Sequence, residues 1–487
     1  MLGKGVHMLT IIDSDKTKNE DIFLKEKNLF FIGIGGISMS SLAMIALNEG
    51  ANVCGSDRTC SSLTEKMERN GIKIFYSHSA CNLPDTCDAV IYTAAIHSGN
   101  PELSEARKRG IPCFSRADFL GKIMLPYANR IGIAGTHGKS TTTSMTAMIA
   151  LQANTNPTIV SGAELEAIDG AYKIGGRNYF IFEACEYTDS FLSFCPTTAV
   201  ILNIELEHVD YFHSIEQITD SFKKYISKAD TAVICTDSDP AVKAAGGFNG
   251  RLITYSIKTP VSPLKSDTHY FADKITVRGE KIRFALVRVA DNNRETLCVI
   301  DLNVPGVHNV SDAVAAAAAC IENGMSVYSV KAGLQSFRGT KRRLEYRGTS
   351  VHGASVYDDY AHHPTEIKAT LAAARSFGKT VWCIFQPHTY SRTYGLFDEL
   401  KLSFGDADRL IITDIYSAGR EENRSGVTSE QLADAIMGAL YIPKGKQFEQ
   451  ISEYISQVTN EDDVVIVMGA GDIIALSSDL IEKAKKK

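Results

Sequence analysis

The chain lacks three things, and each absence removes a class of function. It has no basic excess: 51 Lys and Arg stand against 57 Asp and Glu, a net charge of −6. A general nucleic-acid binder would carry a basic face, so that class is set aside. No apolar run reaches the ~18 residues of a membrane span. The first 27 residues mix charges through a short apolar patch from Val6 to Ile12, which does not read as a convincing secretory leader and is expected to be a frayed extension. Eleven cysteines are scattered without one Cys-x-x-Cys pair, which speaks for free thiols in a reducing cytoplasm and against a cysteine metal cage. Internal repeats are absent, and low complexity is confined to the lysines at 485–487, an expected disordered tail. What remains is a composition that is 44% hydrophobic, ordinary for a soluble globular protein, in 487 residues. At roughly 150 residues per domain, that length suggests three domains.

The most informative stretch is Ile131-Gly-Ile-Ala-Gly-Thr-His-Gly-Lys-Ser-Thr-Thr-Thr143. Ile131, Ile133 and Ala134 read as the end of a buried strand, Gly135 to Gly138 as a tight turn, and Ser140 onward as a helix. Such a unit cradles phosphate: turn N–H groups and the positive helix end face the anion. Gly135, Thr136, His137, Gly138 and Thr141 supply the cradle. Lys139 offers a charge to the outer phosphates, and Ser140 a hydroxyl for Mg²⁺. The usual loop has a glycine where Ile133 stands, so this is a shorter form.

Upstream, Leu29 to Ile32 reads as a strand, Gly33 to Gly36 as a turn, and Ser38 to Asn48 as a helix. Ser38 replaces the third glycine of a dinucleotide fingerprint. Asp57 lies 24 residues after Gly33, near the place of a ribose-binding acid. The pattern admits NAD, another nucleotide, or mere close packing. Helix and strand then alternate through Arg109, which calls for a parallel sheet.

After the phosphate loop, strands Tyr179 to Glu183 and Ala199 to Ile204 end in acids, the second running into His208. Strand ends are where α/β sheets hold ligands, so Glu183 and His208 are candidates for Mg²⁺ or phosphate. Lys274 to Val289 alternates on both sides of Arg278-Gly-Glu and predicts an antiparallel hairpin, extended by Thr296 to Val304. A helix follows over Ala313 to Asn323, with Asn309 and Asp312 at its start. Its alanines imply close packing. The last third alternates again, with helices expected near Leu396 to Phe404 and over Ser429 to Leu440. Its strand ends carry Asp358-Asp-Tyr-Ala-His-His363, Gln386-Pro-His388 with Arg392, Asp414-Ile-Tyr and Gly469-Ala-Gly-Asp472.

A dinucleotide-like turn, a phosphate loop and a third domain with polar strand ends suit an enzyme of three substrates. Nine blocks in order resemble the Mur ligase family: Gly33-Ile-Gly-Gly-Ile-Ser-Met-Ser, Gly135-Thr-His-Gly-Lys-Ser-Thr, Glu183-Ala-Cys-Glu-Tyr, Asn203-Ile-Glu-Leu-Glu-His, Gly306-Val-His-Asn, Lys341-Arg-Arg, Asp358-Asp-Tyr-Ala-His-His-Pro-Thr-Glu, Phe385-Gln-Pro-His and Gly469-Ala-Gly-Asp-Ile. The resemblance runs from about Asn28 to Leu476. It implies an α/β chain of three domains: a Rossmann-like UDP-sugar domain at 28–125 after an extension at 1–27, a central ATPase-type domain with the hairpin at 126–338, and a Rossmann-like closing domain at 339–487.

The resemblance also implies the reaction. ATP with Mg²⁺ activates the lactyl carboxylate of UDP-N-acetylmuramate as an acyl phosphate, which the amine of L-alanine attacks, in the synthesis of peptidoglycan precursors. By the same resemblance, Gly33, Gly35, Gly36, Ser38 and Asp57 meet the UDP part. Ser140, Glu183 and His208 hold metal. Asn309, Arg343 and Asp359 contact the nucleotide, and His362 and Arg392 the amino acid. Four positions depart from the family's pattern: Ser140 for threonine, Glu207 for aspartate, Asp312 for asparagine and Thr389 for arginine. Related ligases carry a carbamylated lysine near Lys223 and Lys224, and neither is assigned.

Three other functions stay open at this point. One is a relative that attaches a preformed peptide to the same sugar. A second is a nucleotide-dependent oxidoreductase built on the first domain, which leaves the phosphate loop without a role. The third is a non-catalytic nucleotide-binding regulator, which gives no chemical reason to keep Lys139, Glu183, His208, His362 and Arg392 together.

Overall fold

The computed structural model describes residues 24–485 except 94, 260, 292, 420 and 447. The expected N-terminal extension up to residue 23 and the last two lysines of the tail lie outside the described residues. The chain forms two compact units, the first through Ser115 and the second from Arg116 on. No helix among the described residues is long and apolar enough to cross a membrane.

In the first unit, five parallel strands lie in the order Lys73–Phe75, Asn52–Ser56, Asn28–Ile32, Ala89–Tyr92, Cys113–Ser115. The central strands are apolar on both faces, as a sheet covered by helices requires. Phe30, Ile32 and Val90 are fully buried. The helices Ile37–Asn48, Ser62–Arg69 and Pro101–Lys108 supply the crossovers.

The second unit holds two sheets. The larger, of ten strands, centres on Asn129–Ala134, flanked by Thr198–Ile201 and Tyr179–Glu183. One end continues into the antiparallel run Thr268–Arg278, Lys281–Ala290, Asn293–Leu302, with its first turn at Gly279 as expected. Against this sheet pack the helices Lys139–Gln152 and His308–Glu322. Ala313 through Ala319 are completely buried, because methyl side chains let the helix lie close to its neighbours. That helix begins five residues before the expected start. The strand expected to reach Ile204 leaves the ladder after Ile201, so that Asn203 can turn toward the phosphate loop.

The smaller sheet orders Glu345–Thr349, Ser355–Asp359, Asp463–Met468, Thr380–Phe385, Arg409–Ile412 and Ala439–Tyr441, and only its first pair is antiparallel. Two expected helices differ. The one near Leu396 to Phe404 is two short helices, Tyr390–Gly395 and Phe397–Leu400. The one over Ser429 to Leu440 stops at Asp434, and Leu440 pairs with Ile411 in an edge strand. Gly438, at φ 81, makes the turn between them. A left-handed residue cannot continue a right-handed helix.

Candidate active site

The phosphate loop ends at Gly138, whose φ of 82 lies in the left-handed region that glycine tolerates. A Cβ there would also stand 2.5 Å from Asp312 Oδ1. Asn203 clamps the loop from the neighbouring strand: its Oδ1 accepts from His137 N at 2.8 Å, and its Nδ2 donates to the His137 carbonyl at 3.0 Å. Lys139 Nζ donates to the carbonyls of Gly135 at 2.5 Å and Thr136 at 3.0 Å and pairs with Glu186 Oε2 at 3.0 Å. Glu186 is completely buried. Burial works against the lysine's charge, but the Glu186 carboxylate outweighs it and holds the ammonium above its usual range.

Ser140 Oγ donates to Glu183 Oε2 at 2.8 Å, and Gly162 N donates to the same oxygen at 3.1 Å. Gly162 is required here, since a Cβ would lie 2.5 Å from that oxygen. His208, on the segment after the next strand, approaches Lys139's partner instead, with Nε2 3.8 Å from Glu186 Oε1 and its ring 4.5 Å from that of Tyr187. Its φ of 53 is rare for a residue with a side chain. Thr188 and Asp189, across from it on the Glu183 loop, share that conformation. Burial lowers the His208 pKa to about 4, so the imidazole is neutral and free to act as a ligand.

Beside His208, Glu207 accepts from Arg392 through both Nε, at 2.9 Å, and Nη2, at 2.7 Å. Burial opposes the Glu207 charge, and Arg392 overrides it, holding the carboxyl well below the usual range. Arg392 Nη1 also lies 2.7 Å from His388 Nδ1, and the His388 ring is 5.6 Å from that of His362. His362, Arg392 and His388 therefore form one cluster, tied through Glu207 to the segment that carries His208.

A cavity of about 770 Å³ opens beside the loop, lined among others by His137, Gly138, Asn309, Asp312, Arg343 and Asp359. Its size suits a nucleotide. Asn309 Nδ2 donates to the Pro305 carbonyl at 2.6 Å. Asp359 is committed to backbone, accepting from Leu344 N and Ala361 N, each at 2.7 Å. Arg343 lies 3.6 Å from Glu366, a carboxylate only partly exposed that also faces His137 at 3.3 Å. Asp312 accepts from Thr142 Oγ1 at 3.0 Å, and burial raises its pKa to about 7 despite that bond and Arg343 nearby.

Sequence reasoning left Glu186, Glu366, Asn203 and His388 without roles, although all four sit inside blocks it singled out. Lys223 and Lys224 are exposed on the helix Ile215–Ile226, as solvated helix lysines are. In the first unit, Asp57 Oδ2 accepts from Gly35 N at 2.8 Å, while Oδ1 accepts from Arg58 N at 2.7 Å and Thr59 N at 3.2 Å. Gly33, at φ 79, makes the turn, and Gly36 precedes the helix that carries Ser38.

Three family profiles match the chain in sequence: Mur ligase family, catalytic domain, over residues 28–128; Mur ligase middle domain over 133–320; and Mur ligase, glutamate ligase domain, over 342–471. The chain is 45% identical to a UDP-N-acetylmuramate–L-alanine ligase of Acetivibrio thermocellus over 92% of its own length and 94% of that protein's. Among solved structures it resembles the UDP-N-acetylmuramate–alanine ligase of Thermotoga maritima, with a TM-score of 0.76 at 26% identity over 94% of this chain and 99% of that one. It shares its fold with a murein peptide ligase of Psychrobacter arcticus, with a TM-score of 0.69 at 23% identity over 95% of this chain and 99% of that one.

Proposed function

The chain belongs to the Mur ligase family, and on that premise we propose that it joins L-alanine to the lactyl carboxylate of UDP-N-acetylmuramate with ATP. The observation that carries this reading is the gathering of Lys139, Ser140 and Glu183 at one loop, with His208 facing the lysine's partner Glu186 and the adjacent Glu207 holding Arg392 of the His362 cluster. In the proposed reaction the lactyl carboxylate attacks the γ-phosphorus of ATP and ADP leaves. The amine of L-alanine then attacks the acyl phosphate carbon, and phosphate leaves as the amide forms.

Phosphoryl transfer of this kind is mainly positioning and neutralisation of charge. Lys139, already charged, exchanges Glu186 for the β- and γ-phosphate oxygens. The helix end at Gly138 adds N–H donors. Ser140 and Glu183 fit Mg²⁺: their oxygens are 2.8 Å apart, close to adjacent corners of an octahedron with bonds of ~2.1 Å. The neutral His208, which faces Glu186 at 3.8 Å, is the further donor that the family resemblance implies. Bound there, the ion would screen two anions that otherwise repel. Asn309, Arg343 and Asp359 border the nucleotide, Asp359 by holding the backbone at Leu344 and Ala361 in place. The fork of Arg392 suits the alanine carboxylate, and Glu207 holds that fork in readiness. Gly33, Gly35, Gly36 and Ser38 meet the UDP part, with Asp57 bracing their turn. The cytoplasm, where ATP and UDP-sugars are found, is the compartment this reading implies.

The test is phosphate release from ATP and Mg²⁺ with UDP-N-acetylmuramate and, in turn, L-alanine, a short peptide or no acceptor, with the product weighed. The expected result is release with L-alanine and a gain of one alanyl residue. Release only with the peptide would replace this substrate assignment with a peptide-adding one.

A further inference from the structure

One constellation at the edge of the nucleotide cavity joins a side chain of the phosphate loop to two residues that have no part in the chemistry above. His137 comes from the phosphate loop, Glu205 from the segment after Thr198–Ile201, and His363 caps the helix Pro364–Arg375. One ligand atom from each lies within 4.8 Å of the others. His137 Nε2 is buried and makes no hydrogen bond. It stands 3.5 Å from Glu205 Oε2, and His363 Nδ1 stands 3.8 Å from that same oxygen. The two imidazole rings are 4.5 Å apart.

We propose that His137, Glu205 and His363 form a site for a divalent ion of the zinc class, separate from the Mg²⁺ set at Ser140 and Glu183. The donor chemistry chooses the metal. Two imidazoles and one carboxylate suit zinc or cobalt, whereas Mg²⁺ prefers oxygen throughout. A tetrahedral ion with bonds of about 2.1 Å places its ligands roughly 3.4 Å apart. The His137 to Glu205 separation is close to that value, and His363 Nδ1, which now accepts the capping bond from Thr365 N at 3.3 Å, would give up that bond to close the rest.

The surroundings are those of a ligand set. His137 Nδ1 faces Glu366 Oε1 at 3.3 Å, and Thr365 Oγ1 donates to Glu205 Oε2 at 2.5 Å. Such outer partners orient ligands and raise their basicity. Burial brings the His363 pKa down to about 4, leaving that ring neutral. Burial acts against a charge on His137, but Glu205 and Glu366 push its pKa up to about 9. Binding therefore displaces one proton, from His137. The ligands come from both sheets of the second unit, so a bound ion ties the phosphate loop to the domain that covers it.

The test uses the whole chain with Mg²⁺ in excess, titrated with Co²⁺ by visible absorption and with Zn²⁺ by calorimetry and thermal melting. The expected result is one equivalent bound, a tetrahedral cobalt band without thiolate-to-metal absorption, and a zinc-dependent rise in Tm. His363→Ala and Glu205→Gln should each weaken binding at least tenfold with the far-UV spectrum unchanged, while Glu183→Gln leaves it intact. Either variant alone decides the matter if the other fails to fold. The proposal is overturned by a thiolate band, by the absence of saturable binding, by unchanged affinity in the folded His363 or Glu205 variant, or by loss of binding on Glu183→Gln. None of these outcomes depends on which acceptor the ligase uses.

Discussion

Two glycine turns open two strand–turn–helix units in this chain, and they are prepared in opposite ways. At Gly33–Gly36 an internal anion already occupies the turn: Asp57 accepts the Gly35 N–H and two more backbone N–H groups. At Gly135–Gly138 an internal cation waits: Lys139 lies folded over the loop's own carbonyls, paired with Glu186. The first turn is braced by a carboxylate, and the second is charged to receive phosphate. Glycine spacing alone does not distinguish them. What distinguishes them is the sign of the side chain that each turn holds.

The comparison can be broken most severely at the second turn. Lys139→Ala should lower kcat/KM for ATP-dependent turnover by ~10³-fold or more, as loss of a charge-stabilising donor does. Steady-state phosphate release measures it, and a rate near the parent's would refute the assignment of the loop. Glu186→Ala leaves the lysine buried without its partner. It should cost about 3 kcal/mol of stability, read as a fall in the denaturation midpoint of the second unit.

A smaller effect tests how the helix behind the loop is held. The Asp312 pKa is raised from its unfolded value of 3.8 to about 7. Stability from this group is thus full below pH 3.8 and is lost as pH rises through 7. Asp312→Asn removes that loss and should stabilise the protein by roughly 2–3 kcal/mol at pH 8, with little gain at pH 4. Denaturant melts at the two pH values compare them, and equal gains would contradict the buried neutral acid. Smallest of all, Asp57→Ala should cost about 1.5 kcal/mol, the low end for a hydrogen bond to a charged group at a partly exposed site. It should raise KM for the UDP-sugar more than it lowers kcat. A pure fall in kcat would mean that the aspartate does more than brace the turn.

Much of this was legible because strand ends announce themselves. The phosphate loop, the hairpin at Arg278-Gly-Glu and the parallel first sheet follow from periodicity and glycine placement. The helix over Ser429 to Leu440 did not, because Leu440 and Met437 continue an apolar pattern although Met437 is wholly exposed and Gly438 turns the chain. Within the site, residue type was legible and commitment was not. Asp57 and Asp359 read as ligand contacts, yet their oxygens brace backbone. Glu186 and Glu366 were left without roles, yet each is the partner of a charged group, the first fully and the second largely shielded from solvent. What a carboxylate accepts depends on chain segments far away in sequence, and no local pattern carries that.

The pairing of Lys139 with Glu186 also makes the loop a threshold. An incoming anion must displace a carboxylate that is already in place, so a ligand gains only the difference between its own hold on the lysine and that of Glu186. A lone chloride or a single phosphate meets the lysine with little advantage over the resident group. A chain of phosphates, which also reaches the helix end and the Ser140 hydroxyl, gains at several points at once.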